Sequence, residues 1–121
     1  MPTAIVVDDS RAIRMILSRT LRELGYQVGE AGNGREALET IGRTASVDLV
    51  MADWNMPEMS GIDFLVQVRA SAIKVPFGFI TSEASTAIKE LAMKSGASFL
   101  ITKPFSPETM QEALSPILGK C

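Results

Sequence analysis

The stretch Ala4-Ile5-Val6-Val7-Asp8-Asp9-Ser10 joins four unbroken apolar residues to two carboxylates and a serine. An unbroken run, rather than alternation, is the pattern of a strand buried on both faces, as strands in parallel sheets are. Ser10 can accept hydrogen bonds from the amides of a following helical turn. Ile13, Ile16, Leu17, Leu21 and Leu24 then recur at helical spacing. Gly25 suits the left-handed residue that ends such a helix. The stretch therefore predicts a strand, an acidic turn and a helix, in that order.

The same unit recurs along the chain. Further strands are predicted at Tyr26–Ala31, Val47–Ala52, Val75–Ile80 and Phe99–Ile101. Asn33-Gly34 opens a second helix with Ala37, Leu38 and Ile41 inward. Ser60 caps a third, with Ile62, Leu65, Val66 and Val68 inward. A fourth runs from about Ala84 to Ser95 and stops at Gly96. Ser106-Pro107 starts the last, with Met110, Ala113, Leu114, Ile117 and Leu118 facing the core. Pro116 removes a backbone donor and is expected to kink that helix or end it early. Strands alternating with helices imply an α/β fold, a doubly wound parallel sheet covered on both faces. The chain is expected to be a single domain over residues 1–121, without linker, repeat or appended output domain.

Composition narrows the chemistry. The chain has 121 residues, 12 basic and 14 acidic, for a formal charge of −2. That offers no footprint for nucleic acid. No histidine is present, which excludes histidine-based catalytic pairs and histidine-ligated metals. The one cysteine, Cys121, is expected to be a silent terminal thiol. No apolar run approaches the roughly 20 residues of a membrane span, and no signal peptide precedes the first strand. The expectation is a cytoplasmic protein without membrane contact.

In open parallel sheets, ligands bind beyond the carboxyl ends of the strands, where strand order reverses. Asp8-Asp9 follow strand 1, Asp53-Trp54-Asn55-Met56-Pro57 follow strand 3, Thr81-Ser82-Glu83 follow strand 4 and Thr102-Lys103-Pro104 follow strand 5. Strand 2 ends in Glu30-Ala31-Gly32, with less concentrated chemistry, which suits an edge strand and the order 2-1-3-4-5. Taken singly, an Asp after a strand is commonly a helix cap, and a Lys a solvated one. Together they place Asp8, Asp9 and Asp53 at one end of the sheet. Three carboxylates there repel unless a cation sits among them. With oxygen ligands alone, Mg²⁺ fits best. Thr81 can donate to a phosphoryl oxygen and Lys103 can neutralise one. These are the parts of a phosphoryl-transfer site with an aspartate nucleophile.

These residues resemble the receiver domain of two-component response regulators, over essentially the whole chain, and in particular its stand-alone chemotaxis members. The likeness is carried by Asp8-Asp9, the segment Asp53-Trp54-Asn55-Met56-Pro57-Glu58-Met59-Ser60-Gly61, Thr81, and Gly96-Ala97-Ser98 leading to Lys103-Pro104-Phe105. It implies a flavodoxin-like (βα)5 fold. It also implies that Asp53 accepts a phosphoryl group from a histidine kinase. Asp9 would bind Mg²⁺ together with the Asp53 side chain and the Asn55 carbonyl, and Asp8 would help through water. Lys103 and Thr81 would contact the phosphoryl oxygens, with movement of Thr81 carrying the switch and a cis Lys103–Pro104 bond directing the lysine. Asn55 and Glu83 would tune attack of water on the acyl phosphate. The protein would be a monomer whose only chemistry is on itself, and not an enzyme. Its output partner would be a flagellar motor switch component or a phosphotransfer protein of a relay.

Two positions depart from the family pattern. Leu100 stands where Tyr or Phe is usual, and Phe99, one residue early, should point to the opposite face of its strand. This puts an aromatic switch in doubt. Ser82 replaces a small apolar residue and adds a polar group near the phosphate. Trp54 is expected partly exposed over the site, where its fluorescence would report metal or phosphate. Lys89, Lys94, Phe99 and Leu100 are candidates for the signalling surface. Two other classes fit less well. An aspartate-nucleophile phosphatase needs Asp-x-Asp after the first strand and a cap domain. A flavodoxin-like cofactor binder needs a hydroxyl-rich phosphate loop where Asp8-Asp9 stand.

Overall fold

The structure, a computed structural model, describes residues 2–44, 46–54, 59–70, 75–82, 85–103 and 105–118, with backbone alone for 115–118. The chain alternates β1 (Thr3–Val7), α1 (Arg11–Glu23), β2 (Gln27–Ala31), α2 (Gly34–Arg43), β3 (Leu49–Asp53), α3 (Gly61–Ala70), β4 (Phe77–Thr81), α4 (Thr86–Lys94), β5 (Phe99–Thr102) and α5 (Pro107–Leu118). The strands form one parallel sheet in the order β2-β1-β3-β4-β5, as expected.

Polar side chains at the start of the helices satisfy their free amides. Ser10 Oγ accepts from the Ile13 amide at 3.3 Å, Asn33 Oδ1 from Glu36 at 2.9 Å and Ser85 Oγ from Ile88 at 3.2 Å. Ser60 and Ser106 do the same for Asp63 and Thr109. Gly25 and Gly96, with φ of 99° and 109°, follow the ends of α1 and α4. The fourth helix begins at Thr86 rather than Ala84, which lies outside the described residues, because Ser85 takes the cap. The last helix is not ended by Pro116; it continues to Leu118.

Alternation along the strands divides the core in two. Ile5, Val7, Val50, Ala52, Phe77 and Phe79 face α2, α3 and α4, packing on Ala37, Ile41, Phe64, Leu65, Val68 and Ala92. Val6, Leu49, Met51, Ile80 and Ile101 face α1 and α5, packing on Leu17, Leu21, Met110 and Leu114. Two residues assigned to inner faces turn out exposed: Ile16 at 47% and Val66 at 53%. In α1 the buried arc is centred on Leu17 and Leu21, and Ile16 lies about 100° round the helix from Leu17. In α3 the buried arc is formed by Gly61, Phe64, Leu65 and Val68, which leaves Val66 outside it. Ile117 and Leu118 have no described side chains.

The strands also end later than the apolar runs suggest. β3 closes on Asp53, paired with Ile80, and β4 on Thr81, paired with Thr102. Ladder hydrogen bonding thus carries both polar residues as the last members of their strands.

Candidate metal and phosphoryl site

Asp8, Asp53, Thr81 and Lys103 converge at the carboxyl edge of β1, β3, β4 and β5. Asp8 and Thr81 are fully buried and Asp53 nearly so. One carboxylate oxygen from each of Asp8, Asp9 and Asp53 lies within 4.8 Å of the others, with Asp9 on the exposed side. Lys103 reaches over the cluster. Its Nζ is 3.5 Å from Asp53 Oδ2 and 3.8 Å from Asp8 Oδ2. The Lys103 amide donates to the Thr81 carbonyl at 2.7 Å, which ties the lysine's backbone to the end of β4.

Asp8 is held from several sides. Its amide donates to the Ala31 carbonyl at 3.1 Å, and its Oδ1 accepts from the Ser10 amide at 2.8 Å. Among the described residues its Oδ2 has no hydrogen-bond partner. Burial pushes the Asp8 carboxyl from 3.8 up to about 6; Asp53 and Asp9 raise it further, while the Ser10 amide and Lys103 oppose the rise. A buried carboxylate oxygen without a donor, beside two more carboxylates, is a ready ligand for a hard cation. The all-oxygen donor set fits Mg²⁺ on its chemistry.

The β3–α3 corner is set by a close approach. The Gly61 amide donates to the Trp54 carbonyl at 3.1 Å. A Cβ at Gly61 would lie 2.6 Å from the Asp53 carbonyl oxygen and 2.8 Å from Phe79 Cε1. Only glycine lets α3 start this close to the acidic residue's own backbone. Trp54 is half-buried and packs edge-on against Phe79, with centroids 5.0 Å apart and planes at 74°. It therefore packs on the core while sitting next to Asp53.

The other expected residues fall in three places. Ser82 is exposed and, with Ile13, Ile16, Lys103 and Phe105, lines a cavity of about 440 Å³ opening beside the lysine. Leu100 and Phe99 point to opposite faces of β5, Leu100 towards the α3 side and Phe99 towards the α5 side. Phe99 lies over Gly78, its register partner, where a Cβ would meet the ring at 2.1 Å. Lys89 and Lys94 line a separate groove on α4 with Thr86, Glu90 and Met93. Asn55, Glu83, the Lys103–Pro104 bond and Cys121 lie outside the described residues.

Sequence reasoning overlooked Arg14 and Arg69, and named Gly61 without a structural role. Arg14 donates from Nη1 to the Asp8 carbonyl. Gly61 sets the approach to Asp53. Arg69 donates to the Val75 carbonyl at 2.7 Å and the Gly96 carbonyl at 2.8 Å, joining α3 to the segments flanking β4 and β5. Burial lowers its guanidinium below the usual value. The spacing of Ser10 and Arg14, one helical turn, was the only hint of the first of these.

The chain is similar to known proteins over nearly its whole length. The family model described as response regulator receiver domain matches residues 4–115. The chain is 42% identical over 118 residues to the chemotaxis protein CheY1 of Helicobacter pylori, covering 95% of each. It is 38% identical to a chemotaxis protein CheY homolog of Campylobacter jejuni, over 95% of this chain and 91% of that one. Among solved structures, Vibrio cholerae chemotaxis protein CheY4 superposes with a TM-score of 0.90 at 37% identity, covering 97% of this chain and 98% of that one.

Proposed function

Because this chain belongs to the response regulator receiver domain family, we propose that it is a phosphorylation-controlled switch whose only chemistry is on its own Asp53. The observation that supports this most is the placement of Lys103 Nζ between Asp53 and Asp8, with Thr81 ending the neighbouring strand. An Asp53 carboxylate oxygen attacks the phosphorus of a phosphohistidine on a histidine kinase. The O–P bond forms, the N–P bond breaks, and the imidazole leaves with its nitrogen lone pair. Lys103 compensates the charge on the phosphoryl oxygens, and the Thr81 hydroxyl donates to one of them.

Asp9 and Asp53, with Asp8 through water and Asn55 from outside the described residues, would hold a Mg²⁺. When bound, that ion supplies positive charge to the phosphoryl oxygens. Asp8, whose buried Oδ2 accepts no hydrogen bond among the described residues, gains most from a cation nearby.

The output is binding of a partner protein. Relatives named as chemotaxis proteins favour a flagellar motor switch component. Such a kinase and partner would place the protein in the cytoplasm. With Leu100 in the usual aromatic position and Phe99 packed over Gly78, the signal is carried by Thr81 rather than by a moving ring.

Incubation with Mg²⁺ and acetyl phosphate tests this reading, with intact mass as readout. The wild type should gain one phosphoryl group, and Asp53→Ala none. No gain in wild type, or an equal gain in the variant, would refute it. Capture of a motor-switch protein with and without beryllofluoride then tests the output.

A further inference from the structure

Arg14 stands one turn into α1 and has no part in the phosphoryl chemistry above, yet it is wired to the acidic turn. Its Nη1 donates to the Asp8 carbonyl, and its Nε pairs with Glu30 Oε1 at 3.4 Å. The side chain is only 20% exposed. Gly32 lies beside it: a Cβ there would be in ordinary contact with Arg14 Nη1, at 3.7 Å. Among the described residues, Arg14 forms its ion pair with Glu30 and not with Asp8, Asp9 or Asp53.

The Asp8 carbonyl belongs to the peptide unit that joins Asp8 to Asp9. The planarity of that unit means that fixing its oxygen also fixes the amide and Cα of Asp9. The Asp8 amide is already tied to Ala31 on β2. Arg14 ties the other end, and Glu30, also on β2, holds the guanidinium in place. Asp9, the exposed member of the acidic cluster, has no comparable anchor on its side chain among the contacts described.

We propose that Arg14 is a positioning residue: by bonding the Asp8 carbonyl it fixes the Asp8–Asp9 peptide and holds the Asp9 carboxylate where it can share a divalent cation with Asp8 and Asp53. The proposal rests on the reading of this cluster as a cation site.

Charge and position predict opposite signs. A guanidinium one peptide from three carboxylates repels an incoming cation, so loss of its charge alone tightens metal binding. Loss of a group that orients ligands weakens it, typically by 10–100-fold for partners outside the ligand shell. Calorimetric titration of Mg²⁺ alone into the full chain separates the two, with Trp54 fluorescence as a second readout. Arg14→Met should raise the Mg²⁺ Kd about tenfold. Arg14→Lys should also weaken binding, because an ammonium lacks the fork that reaches Asp8 and Glu30 together. Glu30→Gln should weaken it less, in the same direction. Affinity equal to or tighter than wild type in Arg14→Met overturns the proposal. If that variant does not fold, Glu30→Gln decides: unchanged affinity overturns the proposal, and weakened affinity supports it. Absence of Mg²⁺ binding in wild type overturns the reading of the cation site itself, and the proposal with it.

Discussion

Asp8 has no solvent exposure, one oxygen on the Ser10 amide, and a carboxyl raised to about 6 mainly by burial. The folded value lies above the unfolded value of 3.8, so between these limits the folded state binds more protons. In the metal-free protein, Asp8 therefore costs no stability below about pH 4, and lowers stability as pH rises towards and through 6. Each pKa unit corresponds to about 1.4 kcal/mol, so the loss is on the order of 3 kcal/mol. Urea unfolding of metal-free protein at about pH 4.5 and about pH 7.5, which spans most of the window, should show it. Asp8→Asn should flatten the slope and raise stability at the higher pH. A wild-type stability that rises across this window would contradict the assignment to Asp8.

Elements place these residues by close approach, and glycine marks where. A methyl group at Gly61 would meet the Asp53 carbonyl at 2.6 Å. Gly61→Ala should cost about 1–3 kcal/mol through overpacking and slow phosphorylation by moving the Asp53 backbone. Denaturant unfolding and the rate of phosphoryl uptake measure the two effects. Gly78 and Phe99 form a second such pair between β4 and β5. Gly78→Ala should destabilise by a similar amount, and Phe99→Ala in the same chain should recover part of it; additive losses would show that the ring is not the obstacle. The alternation of buried strands and amphipathic helices, with Asp8-Asp9, Asp53, Thr81 and Lys103 at strand ends, was legible in sequence because its signals are local. The Gly78–Phe99 contact was not, since it depends on the register of two strands 21 residues apart. Nor were the exposure of Ile16 and Val66, which depends on where each helix axis settles, or the reach of Arg14 across a turn.

The whole molecule couples the sheet edge to its stability. A cation that binds only the folded chain stabilises it by about 2.7 kcal/mol at a hundred times its dissociation constant. For a domain of this size that corresponds to a rise of roughly 10 °C in Tm. Calorimetry with Mg²⁺ and with EDTA should show this rise, larger at neutral pH than at about pH 5, where Asp8 is largely protonated. Equal Tm values with and without Mg²⁺ would argue against a cation among Asp8, Asp9 and Asp53. The parallel order β2-β1-β3-β4-β5 puts β1 and β3 side by side, and so brings residues 8, 9 and 53 together from distant parts of the chain. The central claim is that this arrangement makes Asp53 the phosphoryl acceptor. The most direct measurement is phosphoryl transfer from a phosphohistidine donor in the presence of Mg²⁺, followed by borohydride reduction of the acyl phosphate and peptide mass mapping. An aspartyl phosphate on Asp53 alone, absent when EDTA is added, is the expected result. Modification at Asp8 or Asp9 with Asp53 unlabelled, or at a serine or threonine, would contradict it.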